Sequence, residues 1–168
     1  MPSESARATT AAEARFRIDA PNSQPRCVMV VALDRPSETV VKRLAKLPWS
    51  RAGFFTASSF ASTRPQSGAG FSMQGWLSDL AGRTKDLIDE VAAADLVVMV
   101  ASAGEDAQAA SLIGEACQLR HVMTTALVLG GSQTAGEATS AQLRPFADML
   151  VVAASEDYIA DMLTALRA

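Results

Sequence analysis

Five short apolar runs punctuate the chain: Cys27 to Leu33, Gly53 to Ala57, Leu96 to Ala101, Met123 to Leu129 and Met149 to Ala154. Four of them are continuous rather than alternating. A strand with one wet face alternates apolar and polar residues, whereas a strand covered on both faces stays apolar, so these runs predict buried strands of a parallel sheet. The residues between them repeat with helical spacing. Pro36 opens a first helix with Val40, Val41, Leu44 and Leu47 on one face, and Pro48 stops it. Leu77, Leu80, Leu87, Ile88 and Val91 predict a second, with Lys85 and Asp89 paired one turn apart on its outer side. A third follows Gly104 and buries Ala109, Leu112, Ile113, Ala116 and Cys117. Thr134 to Glu137 matches a capping box for a fourth helix, which Pro145 ends. Ser155, followed by Glu156 and Asp157, has the form of an N-cap for the last helix, which carries Ile159, Met162, Leu163 and Leu166.

Strands that alternate with helices in 168 residues predict one α/β domain. The expected architecture is a three-layer, doubly wound parallel sheet of about five strands, Rossmann-like or flavodoxin-like, in the order 2-1-3-4-5. It occupies 26–168. Residues 1–25, with only Phe16 and Ile18 as large apolar anchors, bury too little to offset the entropy of ordering them and read as a disordered or loosely docked tail. In such sheets ligands bind beyond the carboxyl ends of the strands, where the strand order reverses. Here that is where Asp34-Arg35-Pro36 meets Ser102 to Asp106.

Fifteen basic and eighteen acidic residues give a net charge of −3, so no basic field exists to attract nucleic acid or an anionic membrane. No apolar run is long enough to span a bilayer. The first 25 residues contain Glu4, Glu13 and Asp19 and no apolar stretch of signal-peptide type, which points to a cytoplasmic protein. Cys27 and Cys117 have no CxxC or Cys/His spacing and read as reduced core thiols.

Candidate chemistry is sparse: no complete catalytic, cofactor or metal motif is present. The ligand-binding candidates are Asp34, Ser102, Gly104, Glu105 and Gly130 at strand ends, with Arg64 in the long Ser/Thr/Gly-rich segment from Thr56 to Gly75. That segment exceeds an ordinary connection and has the composition of a lid over a small anionic ligand. Its Phe60 and Phe71, with Trp76, equally suit docking on a partner chain. A phosphate cradle needs glycines and free amides, but the first strand runs into Asp34-Arg35-Pro36, where one donor is missing and a carboxylate repels phosphate. Glu105 and Asp106 suit the dipole of the helix that follows them; with Asp34 they form an alternative oxygen-rich site for magnesium. A receiver-type phosphoacceptor is excluded, because Ala101-Ser102 and Ala154-Ser155 stand where its aspartate and lysine belong. His121, the only histidine, sits between a helix end and a strand, remote from Ser102 and Ser132, and reads as a helix C-cap.

From Ala94 to Val152 the chain resembles the nucleotide-binding half of the tubulin/FtsZ family. The residues that carry this are Ala94-Asp95 with the strand to Gly104, Val122 to Leu129, and Leu143-Arg-Pro-Phe-Ala-Asp148 leading into Met149 to Val152. The family's glycine-and-threonine phosphate loop is replaced by Ser102-Ala-Gly-Glu-Asp106, so the resemblance implies the fold without GTP binding. The same segment is similar to sugar isomerase domains, of whose sugar-phosphate loop Ser102 and the pair Gly104-Glu105 remain. Two classes of function follow. One is small-ligand binding at the strand ends; the other is a non-enzymatic assembly or regulatory module, expected to form homo-oligomers.

Overall fold

The computed structural model describes residues 24–57, 76–79 and 84–168. Its strands are β1 (Val28–Ala32), β2 (Ala52–Thr56), β3 (Trp76–Asp79), β4 (Thr84–Asp86), β5 (Leu96–Ser102), β6 (Met123–Leu129) and β7 (Met149–Ala154). Its helices are α1 (Arg35–Leu44), α2 (Leu87–Ala92), α3 (Ala109–Arg120), α4 (Gln133–Leu143) and α5 (Glu156–Ala165), with a 3-10 turn at Arg144–Phe146. The sheet runs β4-β3-β2-β1-β5-β6-β7. Its five parallel strands, β2-β1-β5-β6-β7, follow the expected order, and β3 and β4 extend the β2 edge as an antiparallel pair.

Continuous apolar strands supply two cores because their side chains alternate between faces. Met29, Val31 and Leu33 of the first strand and its end, with Val97, Met99 and Ala101, meet Val91, Ile113, Cys117 and Leu143 from α2, α3 and α4. Val28, Val30 and Ala32, with Leu96, Val98 and Val100, meet Val41, Leu44, Ile159 and Leu163 from α1 and α5. Both faces of β1 and β5 are thereby dry, and each of Val30, Val31, Val97 and Val98 is fully buried.

Three helix boundaries differ from expectation. The stripe from Leu77 to Val91 is not one helix: Trp76–Asp79 and Thr84–Asp86 pair with one another, and only Leu87–Ala92 is helical. Lys85 is therefore in a strand, off the helix that holds Asp89. The open edge of β2 supplies backbone partners that outweigh the local helical pattern. Helix α1 ends at Leu44, and Leu47 beyond it is exposed. Helix α4 is capped by Ser132, whose hydroxyl accepts from the Ala135 amide at 3.4 Å, two residues before the Thr134 of the capping-box pattern. Ser155 caps α5 as expected, accepting from the Tyr158 amide at 3.1 Å. No helix among the described residues is long and apolar enough to cross a membrane.

Val98 lies in the middle of β5 with no exposed surface. A carboxylate there has no partner and no water, so Val98→Asp should abolish cooperative thermal melting, read by circular dichroism.

Candidate functional site

At the carboxyl end of β1 the chain turns into α1, and Asp34 is the N-cap of that helix. Its carboxylate accepts from the Ser37 amide at 2.7 Å, while its own amide is 3.2 Å from Ser37 Oγ, which closes a capping box. The same carboxylate reaches across the switch point to the end of β5. It accepts from the Ser102 amide at 2.7 Å and from Ser102 Oγ at 3.0 Å. Asp34 is 6% exposed and has three donors on its two oxygens. The two loops that the topology brings together are therefore joined directly, through the residues expected to receive a ligand.

The loop after β5 is held from its other side. Thr139 Oγ1 of α4 lies 3.0 Å from the Gly104 amide and 3.2 Å from the Glu105 carbonyl, and Gln142 Oε1 accepts from the Ala107 amide at 2.8 Å. Gly104 takes a φ of 87°, a left-handed conformation that glycine adopts without steric cost. After β6, Gly130 and Gly131 are also left-handed, at 53° and 89°. A Cβ on Gly131 would stand 2.2 Å from the Ala103 Cβ, so the turns after β5 and β6 touch through a position that has room for hydrogen only. Gly130 faces open space, and Gly104, Glu105 and Gly130 are exposed on the rim. The Asp34 carboxylate is committed to Ser37 and Ser102. No group of three or more metal-ligating side chains is found among the described residues. Arg64 and residues 58–75 of the proposed lid lie outside those residues.

The opposite end of the sheet contains a cavity of about 360 Å³ between the end of α3 and the starts of β6 and β7. Cys117, Gln118, His121, Thr124, Phe146 and Asp148 line it, a grouping of a thiol, an imidazole and a carboxylate that their separate sequence patterns did not reveal. The chemistry there is quiet. Asp148 Oδ2 accepts from the Thr124 amide at 2.8 Å, and Thr124 Oγ1 donates to the Phe146 carbonyl at 3.0 Å, which fastens the start of β7 to β6. His121 is the C-cap of α3, with a left-handed φ of 55° and an amide directed at the last helical carbonyls. Burial first, and the Asp148 charge second, push the Cys117 thiol up to about 12, the reverse of what a nucleophile needs.

No protein-family model matches this chain, and a search of curated proteins finds no significant match.

Two outcomes follow from this geometry. Asp34→Ala removes the acceptor of three hydrogen bonds at a buried junction and should cost about 3 kcal/mol, whereas Ser102→Ala, which removes one hydroxyl donor, should cost about 1 kcal/mol, both read from urea midpoints. The folded Cys117 thiol ionises above its unfolded value of 9.0. Its neutral form thus adds stability that is complete below pH 9.0 and is lost as pH rises toward about 12. Cys117→Ala should flatten that alkaline slope, measured as urea midpoint against pH.

Proposed function

We propose that this chain is a non-enzymatic assembly or regulatory module that keeps a nucleotide-type α/β fold without its chemistry. The observation that carries this reading is the Asp34 carboxylate, the one buried acid among the described residues, satisfied by Ser37 and Ser102. A carboxylate so occupied is a structural joint. It neither holds a cation nor leaves the β5 amide free for a phosphate. The resemblance of residues 94–152 to the tubulin/FtsZ family fits this reading, because the strands are retained and the phosphate loop is not.

A second reading is supported by the rim. Gly104 and Gly130 are exposed and left-handed, and their loops present backbone to solvent beside Ser132. A small anionic ligand, such as a sugar phosphate, would bind there against the repulsion of Glu105 and by exchanging bonds already made, since the Gly104, Glu105 and Gly130 amides donate to Thr139 Oγ1 and to the Ser102 and Ala154 carbonyls.

Thermal melting separates the two. A ligand present at a hundred times its Kd adds about 2.7 kcal/mol to the folded state. The assembly reading predicts no rise in melting temperature with GTP, ATP or glucose 6-phosphate, with or without magnesium. A rise that Gly104→Val abolishes would replace it with the rim reading.

A further inference from the structure

The cavity between the end of α3 and the starts of β6 and β7 has fixed walls. Phe146 lies directly on the α3 backbone, where a Cβ at Gly114 would stand 2.5 Å from the Phe146 Cβ and 3.0 Å from its ring, so the ring has no room to settle further toward the helix. Its carbonyl is tied to Thr124 Oγ1 at 3.0 Å, and the Asp148 amide donates to the Thr124 carbonyl at 3.0 Å. On the other side the left-handed turn at His121 is closed by the Val122 amide, which donates to the Cys117 carbonyl at 3.0 Å. The space of about 360 Å³ between these walls is built into the backbone, and it falls at the small end of the range of ligand pockets, roughly 300–1,000 Å³.

Two kinds of surface line it. Phe146, Pro145 and Val122, with the sulfur-bearing side chains of Cys117 and Met123, make an apolar and polarisable wall, which favours an aromatic ring through ring–ring and sulfur–ring contacts. The polar side is Gln118, His121 and Asp148. Among the described residues neither the Gln118 amide nor the His121 imidazole has a partner, and the Asp148 carboxylate is bonded to Thr124 through Oδ2 alone. Asp148 Oδ1 is thus left to accept from something else. No lysine or arginine lines the cavity. Arg120, Arg144 and Glu115 adjoin the lining in sequence but are exposed and outside it, so their charges act through water and salt, whereas Asp148 acts in contact.

We propose that this cavity binds a small aromatic amine, with its ring against Phe146 and its ammonium group donating to Asp148 Oδ1. The Cys117 thiol on the apolar wall stays neutral, which suits a ring beside it and makes the cavity a receptor rather than a reaction site. An aromatic acid meets the same carboxylate and is disfavoured. The cavity lies at the end of the sheet opposite the Asp34–Ser102 junction, so its occupancy does not depend on the assembly reading; in a regulatory module it would be the effector site.

Phenethylamine, titrated into the full chain and followed by amide NMR, tests this. It should shift, saturably, the amides from Cys117 to Thr124 and from Phe146 to Asp148, and leave those of Ser102 and Gly104 in place. Hydrocinnamate, which has the ring with a carboxylate, should not bind, and cyclohexylethylamine, which has the charge without the π-faces, should bind more weakly. Asp148→Asn keeps an acceptor for the Thr124 amide and loses the charge, so it should weaken phenethylamine about fivefold, the upper range for an exposed ion pair. Asp161→Asn, at an exposed acid of α5, should leave the affinity unchanged. Cys117→Met extends a flexible apolar side chain into the cavity and should abolish binding. Thermal melting establishes that each variant is folded. Absence of saturable binding to the wild type overturns the assignment, as do shifts centred elsewhere on the molecule. Hydrocinnamate bound as tightly as phenethylamine, cyclohexylethylamine bound equally well, or full affinity in folded Asp148→Asn or Cys117→Met overturns it as well.

Discussion

Asp34 accepts three hydrogen bonds where two loops and two strands converge, and the arrangement of the molecule follows from that junction. A parallel sheet has no hairpins to tie neighbouring strands, so the outermost amides at strand ends need partners from side chains. Aspartates supply them at three places. Asp34 takes the Ser102 amide at the carboxyl ends of β1 and β5, and Asp95 Oδ2 takes the Cys27 amide at 2.7 Å at their amino ends. Asp148 does the same for Thr124 between β7 and β6. The central pair of strands is thus pinned at both ends by contacts that each span 68 residues of chain.

This bracing explains why the ends of the sheet are chemically quiet. At the carboxyl end the acid is spent on amides, and Thr139 and Gln142 hold the next loop down. At the amino end, the acid beside a thiol and an imidazole is likewise spent on the backbone, and the thiol is held protonated. Further stitching occurs on the outside. Arg43 of α1 meets Glu156 of α5 through two nitrogens, at 3.0 Å and 2.7 Å to Oε2, and that hydrogen bond raises the already high guanidinium value. An exposed pair of this kind sets the spacing of the two helices more than it adds stability.

The parallel strands were legible because burial on both faces leaves a run of apolar residues with no polar interruption, and the order of elements then implied the switch point. Asp34 and Ser102 were singled out on that ground. Their mutual bond was not legible, since a pattern along the chain does not say which way a carboxylate turns when amides and solvent both compete for it. The helix expected from Leu77 to Val91 failed because its leucine spacing is local, whereas the hairpin that replaces its first half depends on the distant edge of β2. Gly82 within that stripe was the available signal. Ser132 and Thr134 both have capping hydroxyls, and the left-handed Gly130-Gly131 turn, invisible as a pattern, starts the helix at the earlier one.

Gly131 and Ala103 share one space, since even a methyl group at 131 would fall 2.2 Å from the methyl at 103. The two positions belong to different turns and have no chemistry in common, yet neither is free to drift alone. A larger residue at 103 would press on the backbone at 131, and any residue with a Cβ at 131 would be strained twice, by the neighbour and by a φ of 89°. Descendants of this chain that enlarge one turn must reshape the other in the same lineage, so the outline of this end of the sheet evolves as a unit.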